Sequence, residues 1–323
     1  MQGKYKELLV AITLALIYPA VITSMIIGYN GSFSIAEAQQ ERGNMQSTTC
    51  QDSTIKVLTN EGNIDEMALD DYLTCVLLGE VPTSFGDEAL KAQAVVARTY
   101  TLRRQVTTGK HPEAPVCMDS NCCQGYRSIE SFRAVGGTDE QIEKVRKAVR
   151  DTTEKVLVYN DQLIDATYFS CSGGMTEDAV AVWGSDIPYL QAKPSPGEEQ
   201  AEHYVDTTSF SVEEFKRLLQ INEPDTTTWL GNIAYTDGGG VATIEIFGKQ
   251  FKGTQVRQML GLRSTAFAIN VLGDNVIVTT KGFGHRVGMS QYGADAMATQ
   301  GKTYEEILMY YYEGTEIKTY TGD

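Results

Sequence analysis

Leu77-Leu78-Gly79-Glu80-Val81-Pro82, followed at once by a helical run from Ser84 to Arg104, is the stretch from which the rest of this chain is read. Upstream, Leu69, Leu73 and Val76 recur at spacings of three and four, the stripe that a helix turns towards a core. Extending that spacing places Glu80 on the same stripe, at a helix end enforced by Pro82. A carboxyl set among Leu77, Leu78 and Val81 is placed to give and take a proton as a general acid and base. The pattern leaves a plainer alternative open, a solvated helix-end Glu or one paired with Arg98 or Lys91. The next helix is expected to start at Ser84, with Asp87 three residues on as in a capping box. Its alanine-rich body, Ala89 to Arg98, favours helix and lets neighbours approach closely.

The chain has 323 residues, with 42 acidic and 27 basic side chains and a net charge of −15. Such a charge repels phosphate backbones and anionic lipid surfaces, so no nucleic-acid partner is expected. Leu8 to Tyr29 carries no charge and is long enough to cross a bilayer, which takes roughly 20 apolar residues. Lys4 and Lys6 precede it and Glu37 and Glu41 follow, an order that leaves the C-terminal bulk outside the cytoplasm. Ala36-Glu37-Ala38 resembles a cleavage site, but the apolar run is too long and too distant from it for an ordinary signal peptide. Residues 1–29 are therefore read as a cytoplasmic tip and single-pass membrane anchor, and 30–53 as a polar stalk. The remainder, 54–323, is one extracytoplasmic domain of mixed α+β class.

Within it, Thr54 to Thr59 alternates like a strand, and Thr138 to Asp151 reads as a helix with a Thr138–Gln141 capping box. Lys155–Tyr159 and Gln162–Phe169 read as strands joined at Asn160-Asp161. The second runs into Ser170-Cys-Ser-Gly-Gly174, small residues that let a ligand approach the backbone. Trp183, Pro188 and Tyr189 add aromatic surface of a kind that stacks on sugar rings. From His203 to Thr280 a helix at Val212–Gln220 is followed by strands at Asn232–Thr236, Val241–Phe247, Ala266–Val271 and Val276–Thr280. This reads as a β-rich subdomain, 203–280, beside a helical lobe carrying Glu80, with a substrate groove between them. The chain closes on the glycine-rich loop Gly282 to Ala294, which contains His285, and on a helix capped by Thr303 and Glu306.

His111, Cys117, Cys122 and Cys123 lie within 13 residues in a loop. Thiolate and imidazole donors so close together suit zinc. In an extracytoplasmic domain a disulfide is an equal alternative, with Cys50 or Cys171 as possible partners.

Gly79-Glu80-Val81-Pro82 with Ala89–Tyr100, Ser170–Gly174 and His285–Ala294 together resemble the stage II sporulation protein D family, whose broader group includes enhancers of cell-wall amidases. The resemblance covers Thr54 to the C-terminus. It implies a peptidoglycan lytic transglycosylase of endospore formation, working with an amidase and a membrane scaffold protein of the engulfment machinery. It makes Glu80 the catalytic acid, with Arg98, Tyr168, Ser170, Ser172, His285, Gln291 and Tyr292 lining the glycan groove. It also implies a zinc ion on His111, Cys117 and Cys123. Cys122 is then expected to point away, because adjacent residues rarely both reach one tetrahedral ion in a short loop. One departure is visible: the final motif often begins His-Gly in the family, whereas Arg286 follows His285 here. Two other functions remain open on sequence. One is a glycan-binding enhancer of an amidase without turnover of its own; the other is a zinc hydrolase using Glu113 or Asp119 as base.

Overall fold

A computed structural model describes residues 53–107, 111–222 and 229–322. The anchor expected over 1–29, the stalk up to residue 52 and Cys50 lie outside them; among the described residues no helix is long and apolar enough to cross a membrane. The fold is mixed α+β, with nine helices and several small sheets among the described residues.

The 20-residue helix Asp87–Val106 forms the centre. Ala89, Ala92, Ala94 and Ala97 are buried along it, and their small side chains allow dense packing by its neighbours. Those are the helices Leu69–Glu80, Asp139–Asp151, Gln291–Thr299 and Tyr304–Tyr311 and the strand Lys155–Tyr159. The central helix starts three residues later than its sequence suggests. Ser84 lies in the turn closed by the Phe85 N–H donating to the Pro82 carbonyl, and the first free amide is capped from outside, Gly86 N–H donating to Asp295 Oδ1 at 2.7 Å. The Thr138–Gln141 and Thr303–Glu306 capping boxes both form.

Three short pairings position the site. Thr54–Leu58 lies between Ile64–Ala68 and, in parallel, Val116–Cys117, which carries the first cysteine of the loop against the core. Lys155–Tyr159 and Gln162–Leu163 form a hairpin whose Asn160 and Asp161 both have positive φ, at 51° and 61°. The expected strand Gln162–Phe169 is thus broken, and its far end, Tyr168–Phe169, pairs instead in parallel with Met289–Ser290. That pairing sets Tyr168 beside the helix that begins at Gln291.

Phe210, Phe215, Val241, Ile244, Val256, Phe267, Val276 and their neighbours form a second hydrophobic core, apart from the one around the central helix. Two three-stranded sheets cover it: Phe267–Leu272, Asn275–Lys281 and Val205–Ser211 in one, Lys249–Lys252, Val241–Ile246 and Leu230–Tyr235 in the other.

Candidate active site and metal cluster

Glu80 is the last residue of its helix, and fixed donors from distant segments converge on its carboxylate. Gly125 N–H donates to Oε1 at 2.5 Å, the Tyr168 hydroxyl lies 3.0 Å from the same oxygen, and Gln291 Nε2 donates to Oε2 at 3.3 Å. The contact with residue 125 depends on glycine at 79 and leaves little room for a side chain at 125. A Cβ on Gly79 would stand 2.8 Å from Tyr126 N, and one on Gly125 would stand 3.1 Å from Glu80 Oε1. Tyr168 also lies 3.0 Å from Gln124 Oε1, while Gln124 Nε2 donates to Thr101 Oγ1 at 3.0 Å. Burial first, and the Glu80 carboxylate second, hold the Tyr168 hydroxyl well above its ordinary pKa, so it remains a proton donor.

Glu80 opens onto a cleft of about 550 Å³ lined by residues 78–84 together with Arg127, Phe132, Val135, Gly136, Gly137 and Gln141. All of these belong to the helical part. The cleft therefore differs from the groove expected between lobes: no residue of 203–280 lines it, because the helix end and the 125–137 segment already wall it. Glu80 is its one acidic lining residue and Arg127 its one cation.

Tyr168 and Gln291 reach Glu80 directly, whereas Tyr292 packs its ring edge-on against Phe85 at 5.0 Å, beside the cleft-lining turn. Ser170 contributes main chain, its carbonyl accepting from Tyr292 N–H at 3.1 Å. Two expected groove residues are buried in the scaffold instead. Arg98 is 0% exposed and donates to the Thr152 and Val149 carbonyls and to Asp70, locking three helical segments together. Ser172 is equally buried, donating through its N–H to Glu198 Oε2 at 2.6 Å and through its hydroxyl to Oε1 at 2.9 Å.

Glu198, which sequence reasoning passed over, also accepts from Cys171 Sγ at 3.1 Å and from Ser195 Oγ. The proposed partnership of Cys171 with the cysteine loop is excluded by this pocket. Arg286 is buried too. It donates to the carbonyls of Ser172, Met175 and Gly238 and faces Glu177 at 4.0 Å, tying the turn near Gly238 to the glycine-rich loop. Its φ is +67°, a region that favours glycine, so the Gly that the resemblance leads one to expect after His285 would adopt this backbone without strain.

His285 lies between Phe169 and Trp183, ring centroids 5.7 and 5.3 Å away, and accepts through Nδ1 from Val287 N–H. Burial, helped by the Arg257 charge, pushes its pKa down to about 4, so at neutral pH it is an uncharged imidazole. It makes no hydrogen bond to Glu80; it is hydrogen-bonded to the main chain of Tyr168, whose hydroxyl reaches Glu80. The unfolded imidazole binds a proton near pH 6.5 and the folded one near 4. Stability should therefore fall as pH drops through that window, by up to about 3 kcal/mol for a shift of this size. Urea denaturation at pH 4.5 and 7 should show this loss, reduced in His285→Gln.

His111, Cys117, Cys122 and Cys123 present ligand atoms that all lie within 4.8 Å of one another. His111 Nε2 is 3.5 Å from Cys122 Sγ and 3.8 Å from Cys123 Sγ, near the roughly 3.8 Å ligand spacing of a tetrahedral site with metal–sulfur bonds of about 2.3 Å. The expectation that Cys122 turns away is overturned. Cys122 and Cys123 N–H both donate to the Asp119 carbonyl, and that tight turn brings adjacent thiols to one point. No cysteine among the described residues is in a disulfide. The donors are three sulfurs and one imidazole, a set that fits zinc.

These features define a mixed α+β protein with a single carboxylate in a cleft and a four-donor cluster two residues from one of that carboxylate's donors. A family model described as Stage II sporulation protein matches residues 58–159. Stage II sporulation protein D of Bacillus subtilis (strain 168) is 40% identical over 264 residues, covering 80% of this chain and 77% of its own length. The protein of the same description from Bacillus amyloliquefaciens is also 40% identical, over 80% of this chain and 76% of its own length. An amidase enhancer of Bacillus subtilis is 29% identical over 76% of this chain and 40% of its own length. The chain belongs to the stage II sporulation protein D family.

Proposed function

We propose that this protein is a lytic transglycosylase that cleaves the N-acetylmuramic acid–N-acetylglucosamine bond of peptide-free peptidoglycan strands during sporulation, leaving 1,6-anhydro ends. The observation that carries this is the single acidic residue of the cleft. Hydrolytic glycosidases ordinarily use two carboxyl groups, and here Glu80 alone lines the space. A transglycosylase needs only one. Glu80 protonates the glycosidic oxygen, and the glucosamine O4 departs as a hydroxyl. The acetamido oxygen stabilises the anomeric carbon. Glu80, now the base, takes the proton of the muramic C6 hydroxyl as that oxygen closes on C1, and no water is consumed. Oε1 already accepts from Gly125 and lies beside Tyr168, while Oε2 has only the longer bond from Gln291. Oε2 is therefore the oxygen assigned to carry the travelling proton.

In this reading residues 1–29 anchor the chain and the domain acts outside the cell membrane. An amidase strips the stem peptides, and a membrane scaffold protein holds the enzymes at the engulfing septum. Similarity to an amidase enhancer supports a link to amidase action and also gives the alternative, a glycan-binding enhancer without turnover. The zinc-hydrolase alternative loses support because Cys122 completes a four-donor set and leaves no open position for a water. Asp119, moreover, accepts through Oδ1 from Asn121. Mass spectrometry of products from purified peptide-free strands tests all three. Anhydro ends support the proposal, reducing ends carrying an added water indicate hydrolysis, and unchanged strands indicate the enhancer.

His111, Cys117, Cys122 and Cys123 would hold a structural zinc ion, which supplies cross-linking of the loop rather than chemistry on the substrate. Protein prepared without chelator should contain about one zinc per chain by elemental analysis. Cys122→Ser should lower retention about as much as Cys117→Ser. Retention unaffected by Cys122→Ser would return the site to three protein ligands.

A further inference from the structure

We propose that Arg127 is a specificity residue that binds the lactyl carboxylate of muramic acid, the group uncovered when a stem peptide is removed. This rests on the glycan-cleaving reading above and names the feature of the substrate that the cleft selects.

Arg127 is the one cation lining the Glu80 cleft, in a chain whose net charge is −15. Its side chain is exposed, and no carboxylate of the described residues pairs with it, whereas Lys144, which donates to the Thr83 and Phe85 carbonyls at the cleft turn, is paired with Asp87. Its main chain, by contrast, is fixed. Arg127 N–H donates to the Cys75 carbonyl at 2.9 Å, and two residues earlier Gly125 N–H holds the acid. Residues 125–127 thus place the main-chain donor that holds the acid and a free guanidinium on one short, anchored segment.

A guanidinium is suited to a planar anion, which it binds through paired N–H donors. In a strand that still bears peptides, the lactyl group is a neutral amide extended by a bulky chain. Hydrolysis of that amide gives a compact carboxylate on the same sugar whose C1–oxygen bond is to be broken. The cleft therefore favours the product of a lactyl-amide hydrolysis through a charge present only after that reaction. The uncharged faces of the sugar meet Phe132 and Val135, which line the same space.

The test uses the full chain carrying Glu80→Gln, so that strands are bound without being consumed. Two ligands are compared: peptide-free strands, and the same strands with their carboxylates converted to methylamides. Binding to the carboxylate form should be tighter by roughly 10- to 100-fold, the range of charge-assisted hydrogen bonds. Adding Arg127→Gln should remove that difference while leaving methylamide binding unchanged, and Arg127→Lys should restore part of it. Equal affinity for the two strand types, or an equal loss on both with Arg127→Gln, overturns the proposal. Failure of the wild type to form anhydro ends while the carboxylate preference persists overturns the enzymatic reading alone.

Discussion

Glu80→Gln should lower release of anhydro-ended fragments from peptide-free strands by about 10² to 10⁴, the usual cost of losing a general acid–base group. The amide keeps the shape of the side chain and can still accept from Gly125, so the cleft should survive. What is lost is the proton, in both directions. Strand binding should persist, since Arg127 and the apolar lining are untouched. Thermal unfolding should move little, because the residue sits at a helix end beside an open cleft. A fall in rate with binding intact would separate this role from a scaffold role, in which rate, binding and melting decline together. Turnover retained in Glu80→Gln would refute the proposed mechanism.

Glu198→Ala should produce the largest loss of stability, about 3–5 kcal/mol, as several buried donors lose their acceptor at about 1–3 kcal/mol each. The carboxylate is 1% exposed and accepts from Ser172 N–H and Oγ, from Cys171 Sγ and from Ser195 Oγ. Ser195 retains Tyr311 as a partner at 2.6 Å; the Ser172 amide has no such substitute. In a domain of this size the change corresponds to a fall in Tm of roughly 10 °C. Ser172→Ala should cost only about 1 kcal/mol, because Glu198 keeps its other donors. Denaturant titration of the two variants checks the ordering. If Ser172→Ala instead spared stability and weakened strand binding, Ser172 would belong to the groove after all.

The helix Leu69–Glu80 was legible because apolar spacing and Pro82 both point to its end, and the acid was found with it. Gln124 and Gly125 were not, since residues 118–128 carry no periodicity and a main-chain N–H leaves no mark in a sequence. Their position just beyond Cys123 was the only available signal. Arg98 was placed in the groove by resemblance, yet Val95 and Leu102, three before and four after it, already share a buried helix face with it. Spacing alone leads to the scaffold role it has. Adjacency misled the reading of Cys122 and Cys123, because neighbouring side chains diverge in extended chain but converge in a tight turn. Val205–Ser211 escaped notice because Asp-Thr-Thr-Ser offers little alternation, and register with Asn275–Lys281 is what makes it a strand.

The donors that hold Glu80 lie 45, 88 and 211 residues further along the chain. Contacts of such long range form late, since the entropy of closing large loops must be met before they repay it. A nascent chain therefore carries the acid long before it carries the site. Until the segment around Gln291 has emerged and docked beside Tyr168, Glu80 is a solvated carboxylate at a helix end. On the proposed function, such a chain is kept inert by topology, and any chain ending before residue 291 should release no anhydro-ended fragments from the strands it meets.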